Sequence, residues 1–150
     1  MADEDLEFLL EVYAAGRAIE LAAVPWDAAM KRSFVEHQYG AQIEYYEREY
    51  PAATHEVVVC DRAPAGRIYL HRSPDEIAIL DMAVLPRFQR RGIATTLIRQ
   101  LQAEAASSGR SIRVFVEVFN PAGRLFVDLG FVETSNDGMS RRFDWNDARI

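Results

Sequence analysis

Ile77–Ser108, IAILDMAVLPRFQRRGIATTLIRQLQAEAASS, decides how the rest of the chain is read. Ile77 to Leu85 is an apolar run broken only by Asp81, which is how a strand buried on both faces reads. Pro86 ends it, because proline has no N–H to give a ladder. A short basic link, Arg87 to Arg91, leads to Gly92, where a helix opens. Ile93, Leu97, Ile98, Leu101 and Ala105 then recur at helical spacing, and Gly109 stands where a glycine ends such a helix. The junction Gln89–Ala94, QRRGIA, is the chemically informative part. A helix start leaves backbone N–H groups unpaired and carries the positive end of the macrodipole. Gly92 and Ala94 let a ligand approach that backbone, and Arg87, Arg90 and Arg91 add positive charge beside it. Such a turn suits a diphosphate or similar anion; it reads equally as a plain strand–loop–helix junction with solvated arginines.

Neither G-x-x-x-x-G-K-[ST] nor G-x-G-x-x-G occurs, so a P-loop nucleotidase and a Rossmann dinucleotide site are both disfavoured. Outward from the junction, one chain of 150 residues is the size of a single domain, expected to span 1–150. A hydrophobic fraction of 49% beside 27% charged residues is that of an ordinary globular protein. The net charge of −6 argues against nucleic acid as a partner. No apolar run is long enough for a membrane helix. The acidic start, MADEDLEF, has no basic segment typical of a secretory signal, so a cytoplasmic location is expected. Cys60 is the single cysteine, which excludes an internal disulfide and a cysteine metal cluster, and the His and carboxylate spacing carries no metal signature.

In chain order, Asp3 to Asp5 precede a helix from about Leu6, with Leu6, Leu9, Leu10 and Tyr13 as its stripe. Ile19–Ala23 extends it or turns, and Val24-Pro25 breaks it. Asp27 caps a longer helix, Ala28–Glu49, with Met30, Phe34, Ile43 and Tyr46 on its apolar side. Glu56–Cys60 and Arg67–His71 form a hairpin about the turn DRAPAG, Asp61–Gly66. After the central helix come a strand at Ile112–Val118, a short helix Ala122–Leu129 with Asn120 and Pro121 at its start, and strands Phe131–Glu133 and Met139–Trp145 joined by SNDG. This order predicts an α+β mixed, mostly antiparallel sheet with flanking helices.

Q-x-x-G-x-A after a strand ending in Ala-Val-x-Pro resembles motif A of the GNAT superfamily of acetyl-CoA-dependent N-acetyltransferases. Asn120-Pro121-Ala122-Gly123-Arg124-Leu125-Phe126, followed by Leu129-Gly130-Phe131, is similar to that family's motif B. The resemblance covers Glu56–Trp145 and implies acetyl-CoA as co-substrate, with no metal. It implies a pyrophosphate held by Gln89, Arg90, Arg91, Gly92, Ile93, Ala94 and Thr95. It also implies splayed central strands, with the pantetheine arm paired to the edge at Met82, Ala83 and Val84, and with Asn120 and Phe126 near the thiol. The acceptor would be a small-molecule or peptide amine, lined by Phe34, Gln38 and Tyr45 of the aromatic-rich helix; packing is the other use for those faces. Many members dimerise, so a homodimer belongs to the same expectation.

Two departures stand out. The family usually has a strand before its first helix, and here helix-like sequence begins almost at once. Where many members carry a tyrosine that protonates the leaving thiolate, this chain has Phe126, and phenylalanine has no proton to give. A thiol with pKa near 8.5 can still leave as thiolate. The base is open between Asp81, the one charge inside the apolar strand, and Glu117 at the end of the next. Burial would disfavour a charged Asp81 and suit it to base work, although either carboxylate reads also as a structural ion-pair partner. A module that holds acetyl-CoA without turning it over is the alternative to an enzyme.

Overall fold

The computed structural model describes residues 3–118 and 120–147. The side chains of Asp3, Glu4 and Ile19 lie outside the described set, so the capping expected of Asp3 does too. The chain forms two compact units, Met1–Ile68 with Met82–Gln89, and Tyr69–Asp81 with Arg90–Ile150.

The first unit begins with α1 (Asp3–Gly16), α2 (Ala18–Ala22) and α3 (Ala28–Glu49), followed by β1 (Thr54–Cys60). Among the described residues no strand precedes α1. Asp27 caps α3 as its sequence position suggests, its carboxylate accepting from the Met30 N–H at 2.8 Å. The stripe that α3 buries is not the expected one. Val35 and Tyr39, one turn apart, are buried, while Met30 is 51% exposed. Val35 and Tyr39 join Leu9, Leu10 and Leu21 in one apolar cluster, with Phe34 and Ile43 packed at its edge. Burying side chains of this size contributes about 1.5–3 kcal/mol each.

The hairpin turn is also shorter than DRAPAG. Only Asp61 and Arg62 turn, both left-handed at φ 52° and 69°, and β2 (Ala63–Arg72) starts at once. Two consecutive left-handed residues are what a two-residue hairpin needs to match strand twist, so Pro64 and Gly66 fall inside the strand rather than in the turn. The first unit ends with the last residues of β3 (Glu76–Val84) and a short 3₁₀ turn, Pro86–Phe88.

The second unit holds α4 (Ile93–Ser108), β4 (Ser111–Glu117), α5 (Ala122–Asp128), β5 (Val132–Asn136) and β6 (Ser140–Trp145). Gly109 ends α4 in the left-handed conformation, its N–H bonded to the Ala105 carbonyl. α4 packs on β4 through Ile98, Leu101 and Ala105, and α5 lies against β4, β5 and β6. Phe126, Phe131 and Phe143 form an aromatic cluster there, with Phe126 centred 5.1 Å from Phe131 and 6.2 Å from Phe143.

All six strands form one sheet in the order β1-β2-β3-β4-β6-β5. β3 and β4 run parallel, while β6 is antiparallel to both β4 and β5. The fold is the mostly antiparallel α+β architecture that the sequence order implied. One expectation for β3 needs correction: only Ile77–Ile79 are buried, and the strand is half-buried from Leu80 to Val84. Its ladder with β4 runs from Glu76–Ser111 to Ile79–Val114, and the burial changes where that ladder ends.

Candidate functional site

β3 continues five residues past Ile79, through Leu80, Asp81, Met82, Ala83 and Val84. Past the end of its β4 ladder, at Met82–Val84, such a strand can offer backbone N–H and C=O groups to another extended chain. The Leu85 N–H returns to the Ala65 carbonyl at 2.8 Å, and the Gln89 side-chain amide donates to the Val84 carbonyl at 2.9 Å. These bonds fasten the end of β3 and the start of the loop.

The loop then makes its turn with two left-handed residues, Arg90 at φ 66° and Gly92 at φ 76°. For glycine this conformation is free; for arginine it costs of order 1 kcal/mol. α4 receives no side-chain cap, and its first intrahelical bond runs from the Thr96 N–H to the Gly92 carbonyl. The N–H groups of Ile93, Ala94 and Thr95 therefore fall in the turn that lacks intrahelical acceptors. Gln89 to Gly92 are exposed, and Ile93 to Thr95 are half-buried. A Cβ built on Gly92 meets nothing within 4 Å, so the space above it is open. Arg90 and Arg91 lie in this turn. Arg87, which the sequence grouped with them, instead pairs with Glu11 at 2.8 Å in the first unit.

The remaining candidates divide between the units. Asp81 is half-buried on β3, and Glu117 is half-buried at the last β4 position, opposite Ser140 of β6. The Asn120 side chain accepts from the Ala122 N–H at 2.9 Å, so it caps α5. Phe126 is 3% exposed in its aromatic cluster. In the first unit Phe34, Gln38 and Tyr45 lie within a roughly 40° stripe of α3, since four and eleven residues are nearly whole turns. Phe34 lies tilted against Trp26, with ring centres 5.3 Å apart, and Tyr45, 47% exposed, lies against Tyr46. No three His, Cys, Asp or Glu side chains among the described residues cluster to hold a metal, and no described helix is long and apolar enough to cross a membrane.

One group escaped the sequence reading altogether. Arg67 on β2 is 2% exposed, its guanidinium donating to the Gln42 side-chain oxygen and lying 5.3 Å from the Tyr39 ring centre. Burial first, and the Arg67 charge second, push the pKa of His55 down to about 4. The unfolded chain takes up that proton near pH 6.5. Between pH 6.5 and 4 the unfolded state therefore binds more protons, so stability should be complete above that window, fall through it and level off below. Because His55 is partly solvated, the loss is expected to be about 1–2 kcal/mol, below what the full shift would give. Urea midpoints measured across the window should show it in wild type and lose it in His55→Gln; parallel curves would disprove it.

A model of the acetyltransferase (GNAT) family matches residues 19–131. No curated protein sequence matches the chain. Among solved structures, the PaiA N-acetyltransferase from Thermoplasma acidophilum, in complex with coenzyme A, is 18% identical with a TM-score of 0.70, over 98% of this chain and 96% of that one. An acetyltransferase from Thermus thermophilus is 14% identical with a TM-score of 0.66, over 97% and 92%. The Campylobacter jejuni N-acetyltransferase PseH, in complex with acetyl coenzyme A, is 10% identical with a TM-score of 0.62, over 99% and 94%. At these identities the likeness is one of fold.

Proposed function

The chain belongs to the GNAT acetyltransferase family, and from that premise we propose that it moves an acetyl group from acetyl-CoA directly to an amine in a ternary complex. The observation that carries the donor half is the left-handed turn at Arg90 and Gly92 before an uncapped sixteen-residue helix. Its amides and open glycine suit the pyrophosphate, with Gln89 and the two arginines around it. The length of β3 beyond its β4 ladder, at Met82–Val84, suits the amides of the pantetheine arm, which would add to it as a short strand. Solved relatives in complex with coenzyme A and acetyl coenzyme A support this choice of donor.

For the chemistry, an amine must lose a proton before its lone pair attacks the thioester carbonyl. Asp81 stands on β3 just past the end of the ladder and is the residue we assign as base, with Glu117 the second candidate. The C–S bond then breaks and the thiolate leaves. Phe126 gives it no proton, so thiolate departure is assigned to solvent protonation. The acceptor is assigned to the Phe34–Gln38–Tyr45 side of α3. We read the chain as one acetyltransferase domain, cytoplasmic, with a homodimer as the assembly to test.

Phe126, packed against Phe131 and Phe143, favours one second reading: a module that binds acetyl-CoA without turnover. A single assay separates them. Acetyl-CoA is offered with a panel of small amines and peptide N-termini, and free thiol is followed over time while affinity is measured by calorimetry. Thiol release that depends on the amine establishes the transferase. Binding without release in any member of the panel establishes the module. No binding at all removes both.

A further inference from the structure

We propose that Gly66 is a positioning residue, whose missing side chain sets where the Ala83–Val84 backbone stands and thereby aligns the strand edge for the pantetheine arm. The inference rests on the acyl-donor reading above and adds a residue from a different strand.

Gly66 lies buried on β2. Glycines at Gly92, Gly109, Gly130 and Gly138 adopt positive φ, but Gly66 does not. Conformation is therefore not what calls for glycine here; space is. A Cβ built on Gly66 would overlap the Ala83 carbonyl oxygen and stand 3.0 Å from the Val84 Cα and 3.1 Å from the Ala83 carbonyl carbon. In a regular antiparallel pair, side chains leave the sheet above and below, and a Cβ does not run into its neighbour's carbonyl. The approach is thus a local irregularity that only glycine permits.

The atoms met are backbone, and they cannot swing aside as a flexible side chain would. They are also held nearby. The Leu85 N–H is bonded to the Ala65 carbonyl, one residue from the close approach, and the Val84 carbonyl accepts from the Gln89 side chain. A methyl at Gly66 must push Ala83 and Val84 bodily, or part β2 from β3. Met82–Val84 is the stretch assigned to the pantetheine amides, and hydrogen bonds to an added strand weaken steeply when donor and acceptor are displaced.

The test compares full-length wild type and Gly66→Ala by calorimetry, using two partial donors. S-acetyl-pantetheine lacks the nucleotide, and ADP lacks the pantetheine arm but carries a diphosphate. In a folded Gly66→Ala, Kd for S-acetyl-pantetheine and for acetyl-CoA should both rise tenfold or more, while Kd for ADP stays as in wild type. A glycine needed only for general stability would not separate the two halves of the donor. Equal weakening of ADP and S-acetyl-pantetheine, or none of either, overturns the proposal.

If Gly66→Ala does not fold, amide resonances of wild type decide. Gly66 and Ala83 should shift with S-acetyl-pantetheine and stay still with ADP; any other pattern overturns the assignment. Wild type that binds neither acetyl-CoA nor its halves marks failure of the acyl-donor reading itself, and the positioning role falls with it.

Discussion

Asp81→Asn is expected to lower turnover of any accepted amine by roughly 10²- to 10⁴-fold, the usual worth of one acid–base group, and to leave acetyl-CoA affinity unchanged. Asparagine keeps the shape of the side chain and its hydrogen-bonding reach while losing the ability to take a proton. Asp81 sits two residues beyond Ile79, the last β3 residue paired to β4, on the stretch where burial gives way to half-exposure. The measurement is steady-state thiol release in parallel with calorimetry and thermal unfolding. Loss of cofactor affinity together with a lowered unfolding temperature would make Asp81 a structural group. Undiminished activity would move the base to Glu117, where Glu117→Gln would then carry the rate loss, or to solvent if that variant too is fully active.

Local rules made much of the fold legible before any coordinates. Asp27 announced the start of α3, Gly109 announced the end of α4, and Pro86 the end of β3, because each acts through its own backbone within a turn of chain. What failed depended on partners distant in sequence. Of the stripe expected on α3, Met30, Phe34, Ile43 and Tyr46, Phe34 and Ile43 pack at the edge of the cluster, but Met30 is exposed and Val35 and Tyr39 are the buried pair, because α1 and α2 decide which side of α3 faces Leu9, Leu10 and Leu21. DRAPAG carries every residue type common in turns, yet only Asp61-Arg62 turns. Proline and glycine there have the look of turn formers, while Gly66 serves the close approach of Ala83, seventeen residues further along the chain on β3.

The site divides in the same way. The turn at Gln89–Thr95 could be read from its glycine and its place between strand and helix, and the structure adds the left-handed Arg90 that composition hides. The edge at Met82–Val84 came from the family resemblance alone, since an apolar run does not reveal where its neighbour stops pairing, and the β4 ladder ends at Ile79. Arg67 gave no signal at all. An arginine between Gly66 and Ile68 looks like any solvated strand position, and only Gln42 and Tyr39, brought from α3, make it a buried one.

Gly92→Val should raise the Kd for acetyl-CoA at least tenfold, which is about 1.4 kcal/mol or more of binding. Two effects combine in that variant. The side chain would fill the open space over the turn, where nothing now stands within 4 Å of a Cβ, and so would meet an approaching pyrophosphate. It would also resist φ 76°, a conformation that β-branched residues rarely adopt. Gly92→Asn separates them, because asparagine tolerates the left-handed region while still presenting a side chain. If the site works by close approach of the phosphates to the backbone, both variants should bind poorly by calorimetry, although Asn should unfold near the wild-type temperature. If only valine weakens binding, the conformation of the turn matters and the empty space does not. Unchanged affinity for acetyl-CoA in a folded Gly92→Val would place the pyrophosphate elsewhere and take the α4 turn out of the site.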